Sequence, residues 1–182
     1  AYALMCLVIV SGIYGLYSYM NLPVRVAADR LGEGADAELA ELVQLDRQLR
    51  QVLDRSDANL QAMALSALDL TLLGGSRWGR LLGRDRSKVV PTAGGAPVAN
   101  VEQRVMIREL SSRIPNASKQ AEAEVLHQLL ALFGRRQVIL RSLRRNAQRQ
   151  ALLKVWLRFH IPLTFALLAA LLTHIIVVFL YW

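Results

Sequence analysis

Two histidines stand in the last apolar run of the chain, His160 and His174, 14 residues apart. On a helix they fall within about 40° of each other and about 21 Å apart along the axis. Between and beyond them, from His160 to Trp182, there is no acid, lysine or arginine. An imidazole inside such a run has no partner in hydrocarbon, so it marks a ligand, a cofactor or a contact with another helix. Two on one face, one near each side of a bilayer, point to a device that works across the membrane.

The elements that must carry them follow from the distribution of charge. Residues 1–20 and 159–182 are each long and apolar enough to cross a core of about 30 Å. The expected organisation is a transmembrane helix at 1–20, a helical segment at 21–73, a loop or linker at 74–100, helices at 101–158 leading into the membrane, and a second transmembrane helix at 159–182. The first run has no basic residues ahead of it and no small-residue cleavage site after it, so it reads as a retained span rather than a signal peptide. Tyr14, Tyr17 and Tyr19 crowd its end like an interfacial belt. The chain starts at Ala1, which points to a processed or missing natural N-terminus.

The net charge is +8, and all of the excess lies late in the chain. Every acid falls at or before Glu124. Beyond it come Arg135, Arg136, Arg141, Arg144, Arg145, Arg149, Lys154 and Arg158. A basic segment abutting a span marks the cytoplasmic side, and Arg25 and Arg30 after the first span agree. The expectation is an integral protein of a bacterial inner membrane with its middle domain in the cytoplasm. The basic run then reads as a solvated face that orients the protein and touches anionic lipid. Nucleic-acid binding is not expected.

The fold class expected is all-α: two transmembrane helices flanking a cytoplasmic helical domain, hairpin or coiled-coil-like. Ala35 to Leu73 reads as one helix from its three- and four-residue apolar spacing. Asn21-Leu22-Pro23 breaks the chain before it, and Gly74-Gly75 ends it. A basic loop with Trp78 and a linker with Gly94-Gly95 follow. Asn100 precedes an amphipathic stretch from Val101 to Ile114, and Pro115 interrupts. Asn116 or Ser118 then caps a long helix whose stripe runs through Leu126, Leu129 and Phe133, past Gly134, to Val138, Ile139 and Leu143. Nothing from Gln137 to Phe159 breaks it. Pro162 is its one interruption, and no strand alternation is visible.

The spacing of His160 and His174 resembles the ligand helices of the diheme membrane b-type cytochromes. The resemblance covers about 23 residues. It implies one or two haem b groups with His160 and His174 as axial ligands to iron, Arg158 against a haem propionate, and a role as an electron-transport subunit. The family needs four imidazoles and this chain has three histidines, His127 being in the polar segment. The remaining ligands would come from other membrane subunits or a second copy of the chain. The family's helices also commonly place glycine between the ligands, where this chain has none.

The alternative is a two-span assembly, scaffold or signalling subunit without cofactor, whose histidines only pack. His127, beside a soluble apolar stripe, is read as structural. Cys6, the only cysteine, is read as an inert thiol, and its solitude excludes covalent c-type haem and iron–sulfur frameworks. Small residues at Ser11 and Gly15, and at Ala166 and Ala170, offer faces where helices approach closely. No nucleophile–base pair, phosphate loop or carboxylate cluster is present, so independent catalysis is not expected.

Overall fold

The structure is a computed structural model that describes residues 2–20, 33–73, 84–91, 95–117 and 119–181. Among these residues the regular structure is α-helical apart from one small ribbon and two 3-10 turns. It divides into two compact units: residues 1–31 with 149–182, and residues 32–148. The proposed break at Asn21-Leu22-Pro23, the cations Arg25 and Arg30, Gly74-Gly75, Trp78, Gly94, the Ser118 cap and Trp182 lie outside the described residues.

Unit 32–148 contains α2 (Glu33–Leu53), α3 (Ala58–Asp69), strands β1 (Lys88–Val89) and β2 (Val98–Ala99), α4 (Arg104–Arg113) and the first half of α5 (Gln120–Tyr181). The single helix expected over residues 35–73 is divided. The amides of Asp54, Arg55 and Ser56 bond back to the carbonyls of Arg50, Val52 and Leu53, and the Ser56 hydroxyl donates to Leu53 O at 2.7 Å. These polar groups close a turn at residues 54–57 that the apolar spacing on either side does not reveal.

The turn lets α3 bury Leu60, Met63, Ala64, Ala67 and Leu68. They join Leu49, Leu53, Met106, Leu110, Leu129 and Phe133 in one core. Leu42 and Leu45 of α2 meet Ile139 and Leu140 of α5 in a second cluster. Each buried Leu or Phe contributes about 1.5–3 kcal/mol by leaving water. Val138, counted on the stripe from sequence, is 64% exposed.

The stretch expected to be only loop holds a two-stranded antiparallel ribbon, Lys88 opposite Ala99 and Val89 opposite Val98. Two-residue strands are too short to show alternation. Side chains and carbonyls outside the strands seat it: Lys88 N donates to Leu70 O, and Val90 N donates to the Ser66 hydroxyl at 2.9 Å. After it, Glu102 and Gln103 adopt left-handed backbone conformations, with φ of 52° and 59°. A Cβ makes such conformations costly, so neighbours must hold these two. Glu102 N donates to Asp85 Oδ2 at 2.7 Å, Gln137 Nε2 donates to Glu102 O at 2.6 Å, and Gln103 Nε2 donates to Thr71 Oγ1 at 3.2 Å.

The second unit pairs α1 (Tyr2–Met20) with the later part of α5. Helix α5 is continuous through Gly134 and Pro162. Its apolar window has a mean hydropathy of 2.6 and none of it is buried, so α5 is long and apolar enough to cross a membrane. Helix α1 contains a shorter apolar helix, Met5–Tyr17.

Candidate functional site

Helices α1 and α5 meet along a seam with three- and four-residue spacing. From Leu153 to Leu167 the half-buried positions of α5 are Leu153, Trp156, His160, Leu163 and Leu167, and all others between them are exposed. On α1 the less exposed positions are Val8, Ser11, Gly12 and Gly15. This is the spacing of a packed helix pair. The helices are antiparallel, since Trp156 meets Gly15 while His160 meets Ser11.

His160 is spent in this seam. The Ser11 hydroxyl lies 2.9 Å from its Nδ1, and its ring stacks on the Trp156 indole with centroids 4.7 Å apart and planes 18° from parallel. Trp156 Nε1 in turn donates to Ser11 O at 3.0 Å and to the Ser11 hydroxyl at 3.1 Å. Gly12 and Gly15 make room: a Cβ at residue 12 would reach His160 Cε1 at 3.9 Å, and one at residue 15 would overlap the indole. The small-residue face of α1 therefore has its partner in the same chain. Ser11 and Trp156 were not among the residues expected to act with His160. The signal was present, because Trp156 stands four residues before His160.

His174 is on the same side of α5 but has no partner among the described residues. The seam spacing runs on from Leu167 through Ala170 to His174, yet every described residue from Leu168 onward is exposed. The face the two histidines share is the face on which α1 packs at His160. Arg158 is two residues from His160 and so points about 160° away from it. His127 is exposed on α5, Cys6 is exposed on α1, and no group of three or more metal-ligating side chains occurs among the described residues.

The basic run of α5 is not one solvated face. Arg136 is 1% exposed and its Nε donates to Asp46 Oδ1 at 2.7 Å, while its Nη1 donates to Thr71 Oγ1 at 3.1 Å. Arg144 reaches Asp85 at 2.7 Å, and Arg141 reaches Glu102 at 2.7 Å. Arg135 pairs with Glu41 at the surface. The hydrogen bond from Arg141 holds the Glu102 carboxyl below its ordinary value and raises the Arg141 guanidinium, with Arg104 adding to the effect on Glu102 against the opposing effect of burial. Burial lowers the Arg144 guanidinium, and Asp85 opposes that. Arg145, Arg149, Lys154 and Arg158 have no carboxylate partner among the described residues.

The chain matches no protein-family model, and neither a curated protein nor a solved structure shows significant similarity to it.

Proposed function

We propose that this protein is a two-span membrane subunit that works by assembly with other membrane helices, with α1 as the first span, the later part of α5 as the second, and residues 32–148 in the cytoplasm. The observation that carries this reading is the α1–α5 seam. His160 is used within the chain to join the two helices, and the stripe it belongs to continues to His174, which has no partner among the described residues. An imidazole in hydrocarbon without a partner is costly, so His174 is where another subunit or a second copy would pack.

A second reading has one observation in its favour. The Ser11 contact engages Nδ1 of His160 and leaves Nε2, and an oriented imidazole of that kind is how metal-binding histidines are held. On this reading the chain is an electron-transfer subunit resembling the diheme b-type cytochromes, with haem b on His160 and His174. The residues of this chain do not complete such a site. Each level offers one imidazole, α1 occupies the face at His160, and Arg158 points away from it.

The visible spectrum of the purified protein in mild detergent, oxidised and reduced, separates the two. The assembly reading expects no haem bands and expects His174→Leu to weaken association with co-purifying subunits or between copies. Stoichiometric b-type bands that disappear in His174→Leu would overturn it in favour of electron transfer.

A further inference from the structure

The seam with α1 uses one side of α5, and the opposite side carries a different pattern. Lys154 and Arg158 lie about 160° around the helix from the midpoint of Trp156 and His160. Both are exposed, and neither has a carboxylate partner among the described residues. The same face continues with Ile161, Phe165, Leu168 and Leu172, which are 47%, 68%, 51% and 53% exposed. The steps from Lys154 onward are four, three, four, three and four residues, so the six positions form one stripe along α5.

We propose that this stripe is a binding site for an anionic phospholipid, with the headgroup phosphate between Lys154 and Arg158 and an acyl chain along Ile161, Phe165, Leu168 and Leu172. This rests on the membrane reading of α5 and adds a particular lipid class and a particular face. The two cations are one turn apart, a spacing that brings two long side chains to one phosphate. A free anion would use the cations and leave the apolar half of the stripe without purpose, and an RNA or an acidic protein segment would not match an apolar stripe of that length. An amphiphile with an anionic head matches both halves. Cations bordering a span are also where anionic headgroups concentrate.

The test uses the full-length protein in detergent, titrated with phosphatidylglycerol or phosphatidylcholine and read by native mass spectrometry of retained lipid. Preferential retention of phosphatidylglycerol is expected. The double variant Lys154→Gln/Arg158→Gln should bind it about tenfold or more weakly, the scale set by two cations near an anionic lipid. Arg145→Gln/Arg149→Gln should bind as the parent does, and Phe165→Ala should weaken retention while leaving the preference for phosphatidylglycerol in place. Equal retention of both lipids, unchanged binding in the Lys154/Arg158 variant, or displacement by millimolar inorganic phosphate would each overturn the proposal. Release of the protein from native membranes by alkaline carbonate without detergent would instead overturn the membrane reading beneath it.

Discussion

Trp156 occupies the space that a side chain at Gly15 would need. The indole lies against the glycine and donates to the carbonyl of Ser11, one turn away on α1. A residue without a side chain on α1 thereby makes room for the largest side chain of α5.

Gly15→Val should therefore separate the helices. Overpacking of this kind costs about 1–3 kcal/mol. Trp156→Ala alone should also destabilise the pair, by loss of packing. The two together should cost less than the sum of the single changes, because the introduced isopropyl group then enters the space the indole leaves. Thermal unfolding of the four proteins in one detergent measures the coupling. Strict additivity would show that the two residues do not touch.

In the other unit the buried guanidinium of Arg136 depends on Asp46 and Thr71. Asp46→Asn should destabilise residues 32–148 by about 3–5 kcal/mol, since it leaves a buried charge without its counter-ion. Adding Arg136→Met should recover much of that loss by removing the charge. Chemical denaturation followed by circular dichroism checks both, and no recovery in the double variant would show that the guanidinium is stabilised mainly by other groups.

Glu102 supplies a pH dependence with a definite sign. Its carboxyl is held below the ordinary 4.5 in the folded chain, chiefly by Arg141. The folded state therefore binds that proton less readily than the unfolded state. The stabilisation is complete above the unfolded value and is lost as pH falls through the folded one. Glu102→Gln should lower stability near neutral pH and flatten its decline on the acid side of 4.5. Stability profiles of the two proteins across the acid range up to neutral pH test this, and parallel profiles would remove Glu102 as a source.

The orientation proposed for the membrane is tested at the exposed residue Ala96, near the ribbon. With Cys6→Ser as background, Ala96→Cys should react with an impermeant maleimide only after cells are opened. Labelling of intact cells would reverse the topology.

The amino-acid pattern by itself determined the helical class, the apolar character of both ends and the continuity of α5. These are properties of neighbours three or four residues apart, and local spacing records them. It also placed His160 and His174 on one helix face, because helix geometry alone requires that. Tertiary structure decided which helix covers that face. The contact of Ser11 with His160 joins positions 149 residues apart, and no periodicity reports on such a pairing. The cations divide for the same reason. Arg136 and Arg145 look alike in a basic run, yet one is buried against Asp46, 90 positions away, and the other has no carboxylate among the described residues. The break at residues 54–57 and the two-residue ribbon also escaped the pattern, since each rests on a few polar contacts rather than on apolar spacing. Hydrophobic spacing encodes which face of a helix is buried. What buries it is chosen by long-range contacts that only the folded chain makes.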